Sequence, residues 1–238
     1  MAARAQEAIS REMSALPVTI PLSEGAAVSG LWQAPADAKA CLLLAHGAGA
    51  GMTHRAMATL ADGLAARSVA TLRYQFPYME QGRKRVDSPP VAQNAVRAAA
   101  QAAQGLAGDL PLFAGGRSFG GRMTSQAQAM APLEGVRGLV FFAFPLHLAG
   151  KPSIERAAHL AHVAAPMLFV QGTKDTLADL SLLQDVVSGL GERAQLQLIE
   201  DADHAFHVPA KTGRKDADVL AEALDAVAAW ITGGARRS

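Results

Sequence analysis

Pro111 to Met123 reads PLFAGGRSFGGRM, an apolar run followed by paired glycines on both sides of Arg117, Ser118 and Phe119. Gly116, Ser118 and Gly120 fit the pattern G-x-S-x-G, in which a strand turns sharply into a helix and leaves the serine hydroxyl at the turn. Glycines suit such a bend because they bring no Cβ into it. A helix opening near Phe119 would set its free N–H groups and positive dipole end beside the hydroxyl, which suits a developing oxyanion. The other reading is an ordinary capping serine in a glycine turn, and the sequence on either side decides between the two.

Outward from this stretch, short apolar runs recur at Cys41 to Ala45, Val69 to Leu72, Pro111 to Ala114, Leu139 to Phe144, Met167 to Val170 and Leu196 to Ile199. Most are continuous rather than alternating, the pattern of strands buried on both faces of a parallel sheet. Helical spacing lies between them. After Thr53, a capping residue type, Met57, Leu60, Ala61, Leu64 and Ala65 form one apolar stripe, and Pro90 can open a helix reaching Leu106. A helical segment is expected over Ile154 to Val163. The last helix is expected from Asp216 to Ile231, with Leu220, Ala223, Leu224, Val227 and Ile231 on one face and Gly233 as its stop. VTIPL and AVSGLW, on either side of Gly25, predict an antiparallel pair ahead of the parallel set. Strand and helix alternate without linker or repeat, so the expected fold is α/β: a doubly wound, mostly parallel sheet with an antiparallel N-terminal edge. It is read as a single domain over 1–238, with tails at 1–15 and 233–238. The segment between Phe144 and Met167 is too short for a cap domain.

At 238 residues the chain is longer than a typical domain of roughly 150 but within the range of one α/β unit. Half the residues are hydrophobic and 18% are charged, which excludes disorder. Lys plus Arg number 22 against 21 Asp plus Glu, a formal net charge of +1, so no global field favours nucleic acid or an anionic membrane. The one cysteine, Cys41, excludes a disulfide framework and multi-cysteine metal sites, and reads as a core residue. The first residues, MAARAQEAISREMSALP, lack an apolar signal core, and no run reads as a membrane span. The expected location is the cytoplasm.

A serine hydroxyl is a weak nucleophile near neutral pH and needs a histidine base held by a carboxylate. Asp175 follows the run MLFVQG, and His204 follows LQLIED, so both would sit at strand ends beside Ser118. Asp179 is a rival acid and His207 a rival base. The glycine-rich turn His46 to Gly51 could cradle phosphate, but Met52 occupies the third glycine position of G-x-G-x-x-G and no phosphate-binding G-x-x-x-x-G-K-[ST] exists. The turn fits an oxyanion loop better, with a backbone N–H of Ala48 or Gly49 pairing with that of Phe119, and His46 packed structurally beneath it. His159 and His162 share a helical face, but no acid or cysteine completes a metal site, so neither metal nor cofactor is expected. Trp32, Trp230 and the Phe141 to Phe144 run are expected in the core or lining a pocket.

AHGAGAGMTH, YQFPYMEQGRKR, GGRSFGGRM, FPLHLAGKP and VQGTKD together resemble the testis-expressed/KANL-like branch of the α/β-hydrolase superfamily, near dienelactone-hydrolase-type minimal enzymes. The resemblance spans about residues 40 to 232 and implies an α/β-hydrolase fold, with Ser118, Asp175 and His204 as its triad in the superfamily's chain order. The chain departs from the branch at Thr176, where a proline often follows the acid. The activity expected from the triad residues and the oxyanion turn is a serine hydrolase acting on a carboxylic ester, thioester or lactone through an acyl-enzyme. The alternatives are a non-catalytic interaction module keeping the fold, and an acyltransferase or perhydrolase. Arg83, Arg85, Arg117 and Arg122 fall near the carboxyl edge of the sheet and are expected to attract an anionic acyl substrate unless they pair internally, for instance with Asp87 or Glu80. Neither nucleic acid nor membrane is an expected partner, and the sequence assigns no oligomeric state.

Overall fold

The computed structural model describes residues 15–233; the expected tails lie almost wholly outside them. The strands are β1 (Leu16–Pro21), β2 (Ala27–Gln33), β3 (Ala40–Ala45), β4 (Val69–Tyr74), β5 (Leu112–Arg117), β6 (Val136–Phe142), β7 (Met167–Gly172) and β8 (Ala194–Ile199). The helices are α1 (Arg55–Ala65), α2 (Pro77–Glu80), α3 (Pro89–Ala107), α4 (Phe119–Met130), α5 (Leu180–Gly189) and α6 (Asp216–Thr232). All eight strands form one sheet in the order β1-β2-β4-β3-β5-β6-β7-β8. β2 runs antiparallel to β1 and β4, and the other pairings are parallel. This is the expected α/β fold with its antiparallel N-terminal edge, and the described residues hold no inserted cap domain.

The continuous apolar runs arise because successive side chains face opposite helix layers. In β3, Cys41, Leu43 and Ala45 face the core formed with α3, α4 and α5, whereas Ala40, Leu42 and Leu44 face α1 and α6. Each fully buried leucine of this strand contributes about 1.5–3 kcal/mol. Cys41 lies in the same strand, and burial pushes its thiol up to about 12. Phe141, Phe144 and Phe169 pack at ring-centroid distances of 4.8 to 5.6 Å, and Trp230 packs edge-on to Phe113 at 5.6 Å.

The chain leaves β3 through α1 for β4 on one side, then returns through α3 to β5 on the other. Strand order reverses at β3 and β5, and this reversal opens a crevice at their carboxyl ends. The turn after β3 and the turn carrying Ser118 therefore meet.

Several local details differ from the sequence reading. His54 rather than Thr53 caps α1, its Nδ1 accepting from the Ala56 N–H at 3.2 Å. Helix α3 opens at Pro89, with Pro90 second; neither first-turn position needs an N–H. The segment expected over Ile154 to Val163 is a 3-10 helix, Glu155–His162. In the last helix Leu220 is only partly covered, and Val219 and Ala228 join the buried face.

The crowding at the crevice decides a sign. Glycine within a helix usually costs about 1 kcal/mol relative to alanine. A Cβ at Gly120 would instead lie 2.5 Å from the His46 carbonyl oxygen and 2.6 Å from that of Ala45, both backbone atoms. Gly120→Ala is expected to destabilise the protein by about 1–3 kcal/mol in urea unfolding. A stabilised variant would show that helix propensity outweighs the contact.

Candidate active site

Ser118 stands between β5 and α4 with φ 51° and ψ −117°, a left-handed backbone that an L-residue adopts at a cost of about 1–3 kcal/mol. Its N–H donates to the Phe142 carbonyl at 2.9 Å, which ties the strained turn to β6. The bend turns the hydroxyl outward from the sheet edge. Ser118 Oγ lies 2.9 Å from His204 Nε2, and His204 Nδ1 lies 2.7 Å from Asp175 Oδ2. Because a carboxylate only accepts, Nδ1 carries the proton toward Asp175 and Nε2 is left to accept from Ser118.

The carboxylate of Asp175 is buried, and each oxygen has a donor. Oδ2 also accepts from the Gln171 amide at 2.6 Å, and Oδ1 accepts from the Leu177 N–H at 2.8 Å. Gln171 is itself fixed, its Oε1 accepting from the Phe144 N–H at 2.8 Å. His147 pins the far end of the acid loop: its Nε2 accepts from the Asp179 N–H at 2.7 Å, and its backbone N–H donates to the Leu177 carbonyl at 2.9 Å. His204 reaches this acid because the loop after β8 crosses the end of β7. At Gly172 an added Cβ would lie 2.2 Å from the Ala202 carbonyl oxygen. Sequence reading did not single out Gln171 or His147. The signal for Gln171 was present, a lone amide ending an otherwise apolar strand.

The turn after β3 faces Ser118. The N–H groups of Ala48, Gly49 and Phe119 have no acceptor among the described residues. The Tyr78 hydroxyl donates to the Ala48 carbonyl at 2.7 Å, which fixes the peptide that carries the Gly49 N–H. Tyr78 is buried, and burial pushes its phenol up to about 12, with Asp87 acting in the same direction. His46 lies fully buried beneath the turn, its Nδ1 donating to the Gly47 carbonyl at 2.7 Å and its Nε2 accepting from the Phe76 N–H at 3.0 Å. Burial lowers its pKa, and the Gly47 carbonyl and Asp87 oppose that shift. The contact from Phe76 requires neutral imidazole, because a protonated Nε2 cannot accept.

The rivals lie elsewhere. Asp179 caps α5, accepting from the Leu182 N–H at 3.1 Å, and His207 is exposed and bound to Asp216 at 2.9 Å. Among the basic residues, Arg83 pairs with Asp87 at 2.9 Å with half of its side chain exposed, and Arg85 is exposed. Arg117 donates to the His204 carbonyl at 3.4 Å; burial lowers its pKa against the pull of Asp203 and Asp175. Arg122 lies on the first turn of α4, partly buried, four residues after Ser118. A cavity of about 290 Å³ adjoins Arg117 and Ala205, and is lined also by Leu60, Phe206 and Leu220. Among the described residues no group of three His, Cys, Asp or Glu side chains is placed to hold a metal ion, and no helix is long and apolar enough to cross a membrane.

Known proteins carry the same architecture. A dienelactone hydrolase from Anabaena variabilis is 20% identical, with a TM-score of 0.70 over 92% of this chain and 97% of that one. A serine hydrolase without a lid from Xanthomonas campestris is 21% identical, with a TM-score of 0.70 over 91% and 95% of the two chains. An esterase domain from Rhodothermus marinus is 15% identical, with a TM-score of 0.69 over 93% and 99%. At these identities the likeness concerns the fold. The profile of the alpha/beta hydrolase domain matches residues 38–232, most of the sequence, and the chain thus belongs to the alpha/beta hydrolase family.

Proposed function

We propose that the protein is a serine hydrolase that cleaves a carboxylic ester, thioester or lactone through an acyl-enzyme on Ser118. The observation that carries this reading is the hydrogen-bonded chain from Ser118 Oγ through His204 to the buried Asp175, at 2.9 and 2.7 Å, on a strained strand-to-helix turn.

The chemistry follows from those contacts. His204 Nε2 takes the Ser118 proton as Oγ bonds to the acyl carbon, and the carbonyl electrons move onto its oxygen. The Phe119 N–H and that of Ala48 or Gly49 stabilise this oxyanion without reorganising. Asp175 holds the tautomer and stabilises the imidazolium. When the tetrahedral species collapses, the bond to the alkoxy oxygen or thiolate sulfur breaks and His204 returns the proton to the leaving group. A water then yields its proton to Nε2, attacks the acyl carbon and releases the acid, restoring Ser118. The open edge, with no cap, also admits an acceptor other than water, which is the basis of the acyltransferase or perhydrolase alternative. A non-catalytic module would have no need of a strained serine facing a histidine.

Labelling with a fluorophosphonate probe and hydrolysis of an aryl ester test the assignment. Ser118→Ala is expected to abolish labelling and to lower kcat/KM by about 10³-fold or more, with the melting transition retained. Activity within tenfold of native would overturn the nucleophile. His204→Ala is expected to be as silent as Ser118→Ala, with His207→Ala active; the reverse order would move the base to His207.

Tyr78 acts at one remove, through the Ala48 carbonyl. Tyr78→Phe keeps the ring and removes only the bond to the turn, so kcat should fall by roughly tenfold while KM changes little, less than the loss of a direct oxyanion donor. An unchanged kcat would show that the turn holds its shape without the hydroxyl.

A further inference from the structure

Helix α4 and the 3-10 helix Glu155–His162 pack together at the carboxyl edge, joined by a contact of 2.8 Å between Ser125 Oγ and His159 Nε2. Arg122 precedes Ser125 by three residues and Arg156 precedes His159 by three, so each lies about one turn back along its helix from that contact. The charge of Arg156 is near enough to act on that of Arg122, which lies on the first turn of α4 after Ser118. Arg156 is held by a bond of 3.2 Å from Nη1 to the carbonyl of His147, the residue in the segment after β6 that also pins the Asp175 loop. Both arginines are partly buried, and the Arg122 Nε is enclosed with no hydrogen-bond partner. Among the described residues neither lies within 4.0 Å of a carboxylate, and Glu155, the acid next to Arg156 in sequence, is exposed.

Two half-buried like charges with no counter-charge are an unfavourable arrangement for the empty protein. Burial and the neighbouring Arg156 both lower the pKa of Arg122, and burial and Arg122 depress His159 to about 4, so His159 adds no further charge near neutrality. An oxyanion between the guanidiniums would cancel the repulsion and satisfy their forked donors, a geometry that suits carboxylate and phosphate. On the same segment Leu148 and Ile154 are exposed at 54% and 53%, unusual for large aliphatics, and could cover the apolar part of a ligand.

We propose that Arg122 and Arg156 form a subsite for an oxyanion group, carboxylate or phosphate, on the substrate whose acyl carbon meets Ser118. This names the substrate class of the serine-hydrolase reading and rests on it for the reacting end, whereas the subsite itself can be tested without turnover. Of the basic residues expected from sequence it uses Arg122, and it adds Arg156, which the sequence reading did not name.

The test has two readouts. Succinate and inorganic phosphate are titrated calorimetrically into native protein, Arg122→Gln, Arg156→Gln and, as control, Arg137→Gln at the opposite end of β6. Native protein should bind one of the anions with a millimolar or tighter Kd, which distinguishes a carboxylate from a phosphoryl ligand. Each subsite variant should lose at least tenfold and the control should not. Absence of binding by native protein, or equal binding by all variants, overturns the subsite. In the second readout the ratio of kcat/KM for a mono-4-nitrophenyl glutarate to that for 4-nitrophenyl valerate should fall at least tenfold in Arg156→Gln and stay at the native value in Arg137→Gln. An equal ratio in native and Arg156→Gln enzyme also overturns it. If native protein binds an anion yet hydrolyses neither ester, the hydrolase reading fails and the subsite stands. Melting curves confirm that each variant is folded.

Discussion

The carboxylate of Asp175 is cut off from solvent, and a buried charge without donors would cost far more than one side chain's packing returns. The architecture around it meets that demand from three directions: the Gln171 amide from within β7, the Leu177 N–H from the acid loop, and His204 from the loop after β8. Each donor is held in turn. Gln171 is fixed by Phe144 and the loop by His147, so satisfying one carboxylate sets the positions of three loops at the carboxyl edge. The orientation of His204 toward Ser118 is then a by-product of where its other nitrogen must point.

A second constraint is space. The crevice at the reversal of strand order brings the turn after β3, the Ser118 turn and the His204 loop closer than side chains permit. Gly120 and Gly172 mark the two places where backbone meets backbone. The left-handed conformation of Ser118 is maintained by the bond to β6 and by the helix that follows. Strain and crowding are tolerable because the two layers of core on either side of the sheet are continuous and apolar.

Most of this frame is legible in the residues. The continuous runs at Cys41 to Ala45 and Met167 to Val170 announce strands covered on both faces, and G-x-S-x-G between a run and a helical pattern announces the turn. What is not legible depends on distance across the fold. Helix α5 buries little beyond Leu183 and Val187, too narrow a stripe to stand out. His54 caps α1 with a ring nitrogen, a role that residue-type preference assigns first to Thr53. Gln171, His147 and Tyr78 take their meaning from partners as many as 32 positions away, and no local pattern encodes that. The fate of the arginines is similar. Whether Arg83 or Arg122 is free to meet a ligand depends on which acid each finds, so sequence alone could name the basic residues near the edge but not sort them.

Cys41 lies in the central strand with its thiol wholly covered and its pKa pushed far above neutrality. A thiol that is neither ionised nor reachable does not react with alkylating agents. Since it is the chain's only sulfhydryl, the folded protein is in effect a blank background for cysteine-directed spectroscopy. A single thiol placed on the β6–β7 segment or on the turn after β3 could carry a spin label or fluorophore without first removing a native one. Distances and motions across the crevice could then be read in solution on an otherwise unaltered core.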